Sequence, residues 1–167
     1  MTKIGLLSDT HSFLDTKVFS YFEPCDEIWH AGDIGDATVT DQLAEFRPLR
    51  AVFGNIDDAG LRATFPEEQR FSCEGVSVWM THIGAYPPRY NPRIRARLDE
   101  LQPRLFICGH SHILRVIGDK ERGLLHLNPG AAGRHGFHKV RTLLRFSLTA
   151  GRIQDMEVIE LGKRGEH

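Results

Sequence analysis

The first half of the chain alternates short apolar runs with segments of helical periodicity. DTKVFSYF over residues 15–22 predicts a brief amphipathic helix that starts near Asp15, and ATVTDQLAEF over residues 37–46 predicts a longer helix. This alternation indicates a βαβαβ order, with parallel strands joined by crossover helices. The three predicted strands are KIGLLS (3–8), DEIWHAG (26–32) and PLRAVFG (48–54).

The second half is predicted to contain mostly β-structure. RFSCEGVSVWMTH over residues 70–82 predicts a hairpin around Glu74 and Gly75, and NPRIRARLDEL over residues 91–101 predicts a helix with Pro92 near its start. Parallel units followed by a meander indicate one mixed α/β domain over residues 1–167, with two sheets packed face to face. The other predicted strands are RLFICG (104–109), ILRVIG (113–118), GLLHLN (123–128), TLLRFSL (142–148) and RIQDMEVIEL (152–161).

The composition excludes several broad classes of protein. With 41% hydrophobic and 26% charged residues, the chain is expected to fold rather than to be disordered. A net charge of -1 argues against general nucleic-acid binding through a basic surface. The chain has no apolar stretch of membrane-spanning length and no signal-peptide pattern at its start. Its 3 widely separated cysteines fit neither a disulfide framework nor a thiolate zinc site, so we expect a cytoplasmic protein.

A side chain that can bind a metal ion follows each of five predicted strands. One Asp-x-His pair alone would equally suit a turn or a helix cap. In open α/β sheets, however, ligands sit outside the carboxyl ends of the strands, so the five strand ends together indicate one shared site. In chain order the candidate ligands are Asp9, His11, Asp33, Asn55, His82, His110 and His112, with Asp57 beside Asn55.

The spacing of these candidates adds to the prediction. In an extended backbone residues i and i+2 point the same way, so Asp9 is expected to face the same point as His11. The same argument applies to His110 and His112. Glycines directly precede several candidates and permit tight turns there, at positions 32, 54 and 109.

The blocks SDTH, HAGDIGD, GNID, MTHIG and CGHSH, in that order, resemble the motifs of the calcineurin-like metallophosphoesterases, and GNID resembles their small YfcE-like phosphodiesterase branch. The resemblance implies a four-layer αββα sandwich of two mixed β-sheets flanked by helices. It also implies a residue for each role at a pair of metal ions. Asp9, His11 and His112 would bind one metal, Asn55, His82 and His110 the other, and Asp33 would bridge them.

Such a pair of metals implies a hydrolytic reaction without a covalent nucleophile. A metal-bridging hydroxide would attack phosphorus in line, and the metals would also stabilise the leaving oxygen. Carboxylate, amide and imidazole ligands without thiolate suit Mn²⁺, Fe²⁺, Zn²⁺ or Ni²⁺, and the neutral oxygen of Asn55 favours Mn²⁺. Asp57 is expected to orient a ligand rather than to bind a metal.

The chain departs from the family pattern at two positions. Ile56 stands where many larger members carry a histidine that could protonate the leaving group, so simple alkyl monoesters are expected to be poor substrates. Ala131 ends NPGA where relatives often have NPGS, so only a loop-shaping role is expected for residues 128–130.

Substrate contacts are less clearly indicated. Arg89 and Tyr90, in AYPPRYNP, belong either to a proline-stiffened surface loop or to a lid over residues 83–93 in which Arg89 pairs with phosphate. Arg134, with His135 and His138, lies in a segment that is either a solvated basic loop or a phosphate-contacting one. Two further histidines have structural interpretations: His126 is expected within a strand, and His30 either packs in the core or supports a ligand.

These features favour a metal-dependent phosphodiesterase acting on a small soluble phosphodiester. A nucleotide pyrophosphatase would share the metal core. A non-catalytic scaffold is the alternative from another class, because relatives such as Vps29 use the same fold as a protein-interaction platform. Seven retained ligands argue against the scaffold. The resemblance also implies a homodimer, and neither membrane nor general nucleic-acid binding is expected.

Overall fold

The chain folds into two mixed β-sheets connected by short helices. The computed structural model describes residues 1–166. No helix within that range has the length and apolar character that a membrane crossing requires. In chain order the elements are β1 (Thr2–Leu7), α1 (Lys17–Tyr21), β2 (Glu27–His30), α2 (Ala37–Phe46), β3 (Leu49–Ala51), α3 (Ala59–Thr64), β4 (Glu68–Cys73), β5 (Val76–Thr81), α4 (Pro92–Leu101), β6 (Leu105–Ile107), β7 (Arg115–Asp119), β8 (Leu124–Asn128), β9 (Val140–Thr149) and β10 (Arg152–Lys163).

Each sheet has five strands with a parallel part and an antiparallel part. The first sheet has the order β10-β9-β1-β2-β3, in which β1, β2 and β3 are parallel. The second has the order β4-β5-β6-β8-β7, in which β5, β6 and β8 are parallel. Because parallel strands end at the same edge of a sheet, the loops that follow them gather there.

Successive side chains along each strand point to opposite faces of its sheet, so the core has three layers: one between the two sheets and one between each sheet and its helices. From β1, Ile4 and Leu6 point between the sheets and pack with residues of the second sheet such as Met80. Leu7 points to the opposite face, where helices α1, α2 and α3 cover the first sheet. Helix α4 covers the outer face of the second sheet through Leu98. The result is the predicted four-layer αββα sandwich, which the structure confirms.

Helix α3 is an element that the apolar pattern did not predict. It buries only Leu61 among its residues, so no helical periodicity marks it in the sequence. The helix begins after Asp58, whose side chain accepts a hydrogen bond from the Leu61 backbone N–H at 3.0 Å. Helix α1 is shorter than predicted and starts at Lys17, whose backbone N–H donates to Asp15 Oδ1 at 2.8 Å.

Candidate metal centre

The seven predicted ligands lie together at the carboxyl ends of the parallel strands. The first sheet supplies those that follow β1, β2 and β3, and the second sheet supplies those that follow β5 and β6. The ligand atoms form two groups, within each of which all atoms lie within 4.8 Å of one another. One group is Asp9, His11 and His112, and the other is Asp33, His82 and His110.

Asp33 belongs to the second group and also reaches the first. Its Oδ2 is 3.4 Å from His11 Nε2 in the first group and 3.2 Å from His82 Nε2 in the second. Asn55 joins the second group, because its Oδ1 lies 3.0 Å from His110 Nδ1. One carboxylate oxygen therefore faces both groups, as a bridging ligand would.

Each carboxylate uses one oxygen to hold a neighbouring loop and directs the other to the centre. Asp9 Oδ2 accepts hydrogen bonds from the Ser8 hydroxyl at 2.6 Å and the His110 backbone N–H at 3.1 Å. Its Oδ1 lies 3.1 Å from His112 Nε2. In the same way, Asp33 Oδ1 accepts from the Ile56 backbone N–H at 3.1 Å, which leaves Oδ2 for the centre. The anchored oxygens fix the direction of the free ones.

The His82 ring is oriented by a backbone carbonyl. Its Nδ1–H donates to the Ala31 carbonyl at 2.8 Å, which fixes the ring so that Nε2 faces Asp33. The close approach depends on Gly32, which has a φ of +101°, because a Cβ there would lie 2.6 Å from His82 Nδ1.

Three buried atoms of the centre have no hydrogen-bond partner among residues 1–166: Asp9 Oδ1, His11 Nε2 and His82 Nε2. Buried polar atoms in folded proteins are almost always paired, so three unpaired ones facing one point indicate a missing cation. The donors around them are carboxylate, imidazole and amide groups, which suit divalent metals other than Cu(I). The residues present therefore fit a pair of divalent metal ions.

The electrostatics of the centre also favour a cation. Burial raises the pKa of Asp9, but the neighbouring imidazoles of His11 and His112 outweigh burial and hold the pKa well below its ordinary range. The pKa of Asp33 is lowered in the same way, because His11 and His82 outweigh its burial. The neighbouring carboxylates of Asp33 and then of Asp9 raise the pKa of His11 to about 9. Two ionised carboxylates thus attract positive charge to the centre.

The backbone at the ligands corrects one part of the sequence interpretation. Asp9, His11, His110 and His112 were expected in extended backbone, but their φ angles are 54°, 43°, 70° and 61°. Non-glycine residues rarely adopt this left-handed region, and such residues cluster at functional sites. The local turns, rather than strand alternation, aim these side chains at one point.

Asp57 connects the loops around the centre through its carboxylate. Its buried carboxylate accepts hydrogen bonds from the backbone N–H groups of Ile34 at 3.2 Å, Gly35 at 2.9 Å and Gly54 at 2.7 Å. These N–H groups belong to the loops that carry Asp33 and Asn55. Asp57 thus ties together the two loops that carry Asp33 and Asn55.

His30 also supports these loops. Its Nδ1 accepts from the Gly32 backbone N–H at 3.1 Å, so its Nε2–H donates to Thr10 Oγ1 at 3.0 Å. The Thr10 hydroxyl in turn donates to the Ile34 carbonyl at 2.9 Å. Complete burial lowers the pKa of His30 to about 4 and keeps it neutral. His30 is therefore both packed in the core and connected to the loops that carry the ligands.

Arg62 is a supporting residue that the sequence analysis did not single out. Its Nε donates to the Asp57 carbonyl at 2.8 Å, and its Nη2 donates to the Asn55 carbonyl at 3.1 Å. Arg62 lies on α3, the helix without a periodic signal, so no pattern marked it.

The loop after residue 133 is exposed at Phe137 and Lys139, but two of its histidines pack on rings of the predicted ligands. The His135 ring stacks on His11 with a centroid separation of 4.7 Å, and the His138 ring meets His112 edge-on at 5.2 Å. Arg134 lies elsewhere, with its guanidinium 3.9 Å from the centre of the Phe13 ring. The phosphate contact of Arg134 stays a prediction.

The structure does not place Tyr90 at the centre. The Tyr90 side chain is 3% exposed, packs in the core under α4 and donates its hydroxyl to Asp119 Oδ2 at 3.1 Å. Arg89 is exposed, and its backbone N–H donates to the Tyr86 carbonyl at 2.9 Å. The Arg89 side chain forms no ion pair within residues 1–166. Tyr90 is thus a core residue rather than a substrate contact.

The NPG segment has the loop-shaping role that was predicted for it. Asn128 Nδ2 donates to the Gly109 carbonyl at 2.9 Å, and Asn128 Oδ1 accepts from the Gly130 backbone N–H at 3.0 Å. These bonds connect the end of β8 to the loop that carries His110. His126, on β8, is fully buried, as expected of a structural histidine.

Comparison with known families identifies the class of protein that this fold and centre define. The model of the calcineurin-like phosphoesterase superfamily domain matches residues 2–151. The chain therefore belongs to the calcineurin-like phosphoesterase superfamily, a family of hydrolases that bind divalent metals.

Two curated relatives are both described as probable metallophosphoesterases. One, from Methanocaldococcus jannaschii, is 32% identical over 135 residues, covering 77% of this chain and 67% of the relative. The other, from Mycoplasma pneumoniae, is 32% identical over 165 residues, covering 93% of this chain and 96% of the relative.

Solved structures show the same fold at lower identity. An archaeal phosphodiesterase superimposes with a TM-score of 0.74 and 19% identity, covering 94% of this chain and 99% of that one. Zinc-bound Vps29 from Entamoeba histolytica superimposes with a TM-score of 0.73 and 15% identity, covering 95% and 98%. These likenesses establish the fold.

Proposed function

We propose that the chain is a dinuclear metal-dependent phosphodiesterase that hydrolyses small phosphodiesters. The position of Asp33 is the observation that supports this most, because one carboxylate oxygen faces both ligand groups. A bound pair of divalent cations acidifies water for the attack and neutralises charge on the attacking and leaving oxygens of an in-line displacement.

The ligands would divide between the two ions as the family resemblance implies. Asp33 serves both ions, and the neutral amide oxygen of Asn55 favours Mn²⁺, with Fe²⁺, Zn²⁺ and Ni²⁺ as further candidates. Asp9, His11 and His112 would hold the first ion, and Asn55, His82 and His110 would hold the second.

The remaining residues position the reaction and restrict the leaving group. Asp57 and Arg62 hold the loop of Asn55 through backbone hydrogen bonds, so that ligand keeps its place when substrate binds. Ile56, between Asn55 and Asp57 in sequence, cannot donate a proton. Unless another group supplies the proton, the leaving group must depart as a stable anion, which favours aryl esters over alkyl monoesters.

Metal-dependent hydrolysis of bis(p-nitrophenyl) phosphate tests the proposal. We expect the chelator-stripped protein to be inactive, addition of Mn²⁺ to restore p-nitrophenolate release, and Asp33→Ala to abolish it. Asp41→Ala is the matched control, because Asp41 is exposed on α2. A wild-type protein that binds metal by elemental analysis yet releases no product would contradict the phosphodiesterase and support the scaffold.

The two alternatives predict different outcomes. A nucleotide pyrophosphatase would cleave a dinucleoside polyphosphate faster than the aryl diester under the same metal conditions. A scaffold like Vps29 would bind metal without hydrolysing either compound. The complete set of seven ligands favours an enzyme, because metal retention alone does not require both groups and a shared carboxylate.

We further propose a cytoplasmic location and no partner other than a small phosphodiester, without general nucleic-acid or membrane binding. The cysteines Cys25, Cys73 and Cys108 are all free thiols, which suits a reducing compartment. The homodimer stays a prediction, and light scattering of the purified protein measures its mass directly.

A further inference from the structure

Large apolar side chains are exposed beside the metal centre. Ile56 directly follows the ligand Asn55 and is 46% exposed, and Ile113 directly follows the ligand His112 and is 50% exposed. Phe137 is fully exposed in the loop whose histidines pack on the ligand rings. Exposed apolar side chains are unremarkable one at a time, but a group of them at a cavity marks a binding surface.

These three side chains line one cavity together with ligands of both groups. The cavity has a volume of about 480 Å³, which is within the range of small-molecule sites. Its walls include His11 from the first group and Asn55 and His110 from the second. A substrate whose phosphorus lies at the centre would therefore place one ester group against the apolar side chains.

The charged side chains that line this cavity further restrict the kind of ester group that it can bind. None of the side chains that line it, within residues 1–166, is a lysine or an arginine. A second phosphate or a carboxylate on the substrate would thus meet imidazoles such as His11 but no lysine or arginine to compensate its desolvation. The single negative charge of a diester would be neutralised by the metal ions, so a diester requires no further cation in the cavity.

We propose that Ile56, Ile113 and Phe137 form an apolar wall that binds an uncharged, apolar ester group of the substrate. The preferred substrates are then singly charged phosphodiesters with an aryl or similarly apolar arm. This inference rests on the proposed phosphodiesterase function and specifies its substrate class. It also gives Ile56 a function: this side chain contacts the ester group.

The test compares two diesters that share one leaving group. p-Nitrophenyl phenyl phosphate and p-nitrophenyl methyl phosphate both release p-nitrophenolate, and they differ only in the size of the other apolar arm. We expect Ile113→Asn and Phe137→Ser each to lower kcat/KM for the phenyl ester roughly tenfold, mainly through KM. The methyl ester should lose much less, so the preference ratio falls.

Val158→Ser is the matched control, because Val158 is 49% exposed on β10 and does not line the cavity. Elemental analysis checks that each variant keeps the metal content of the wild type. An unchanged preference ratio in both cavity variants would overturn the apolar wall while leaving the phosphodiesterase intact. A wild type that hydrolyses neither diester would overturn the proposed function and this inference with it.

Ile113→Lys tests the charge of the cavity in the opposite direction. p-Nitrophenyl phosphate carries one more negative charge than its diesters, so an added cation should raise its hydrolysis relative to the phenyl diester. If the ratio of p-nitrophenyl phosphate hydrolysis to phenyl diester hydrolysis equals that of the wild type, the absence of lysine and arginine does not determine which substrates the cavity accepts.

Discussion

His82 and Ala31 join the two sheets at the metal centre through one hydrogen bond, from His82 Nδ1 to the Ala31 carbonyl at 2.8 Å. Ala31 follows β2 of the first sheet, and His82 follows β5 of the second. The bond sets the tautomer of the imidazole and directs Nε2 to Asp33. Sheet packing and ligand geometry are therefore coupled at this point.

Gly32→Ala should weaken metal binding without changing any ligand. The new Cβ would lie 2.6 Å from His82 Nδ1, at a residue whose φ of +101° already disfavours a side chain. The His82 ring must move, and we expect metal affinity to fall about 10- to 100-fold, as for loss of a supporting hydrogen bond. Competition with a chromogenic chelator measures this.

Gly118→Ala is the control for that experiment, because a Cβ at Gly118 has no atom within 4 Å. Equal metal affinities in the two variants would show that the approach of Gly32 to the ring is not needed.

Asp57→Asn should destabilise the fold and the loops together. The carboxylate of Asp57 accepts three backbone N–H groups in a buried position, and an amide offers one acceptor oxygen and two unwanted donors. We expect a loss of about 1–3 kcal/mol in the free energy of unfolding. Urea denaturation of the metal-free protein measures it, with the exposed Asp41→Asn as control. A midpoint equal to that of the control would contradict this role.

The elements with strong apolar patterns were predictable, because their packing repeats at short range. In β1, Ile4 and Leu6 face the second sheet and Leu7 faces the helices, and this alternation follows from the strand period alone. Helix α3 has no such pattern, since only Leu61 is buried and an Asp58 cap starts it. Its recognition needs the fold around it.

The candidate site shows the same division. The ligand types and their order after the strands were visible in the sequence, since each is a local feature. The stacking of His135 on His11 brings together residues 124 positions apart, and no local pattern reports it. Tyr90 was misplaced for the same reason, because its partner Asp119 lies on β7, a distant strand.

Metal removal should lower thermal stability measurably. The centre holds two ionised carboxylates and three unpaired buried atoms that a cation would satisfy. At a free metal concentration of about 100 times Kd, binding adds roughly 2.7 kcal/mol, which corresponds to about 5–10 °C in Tm for a chain of this size. Differential scanning fluorimetry with Mn²⁺ and with EDTA measures the shift.

Asp33→Ala is the comparison for the metal shift, because it removes the shared ligand while leaving the surface unchanged. Its Tm should respond little to Mn²⁺. A wild-type Tm that is the same with metal and with chelator would show that no metal binds.

His126 should make the stability of the protein depend on pH between neutral and mildly acidic conditions. Burial, together with the positive charge of Arg115, lowers the pKa of His126 from 6.5 to about 4, and the ring lies beside Phe106 and Cys108 in the core. Between these two values the unfolded chain binds a proton that the folded chain does not. The contribution of His126 is therefore complete above pH 6.5 and is lost as the pH falls toward 4.

The loss of stability is set by the difference between the pKa of His126 in the unfolded and the folded chain. A difference of one in pKa is worth about 1.4 kcal/mol, so the loss reaches on the order of 3 kcal/mol. His126→Leu keeps an apolar side chain of similar size in the core and removes the titration. We expect the wild type to lose about 2–3 kcal/mol more than the variant between pH 7 and pH 4, measured by urea unfolding of both metal-free proteins. The other titrating groups are shared, so they cancel in the difference. Parallel pH profiles for the two proteins would mean that the folded protein binds a proton at position 126 as readily as the unfolded chain does.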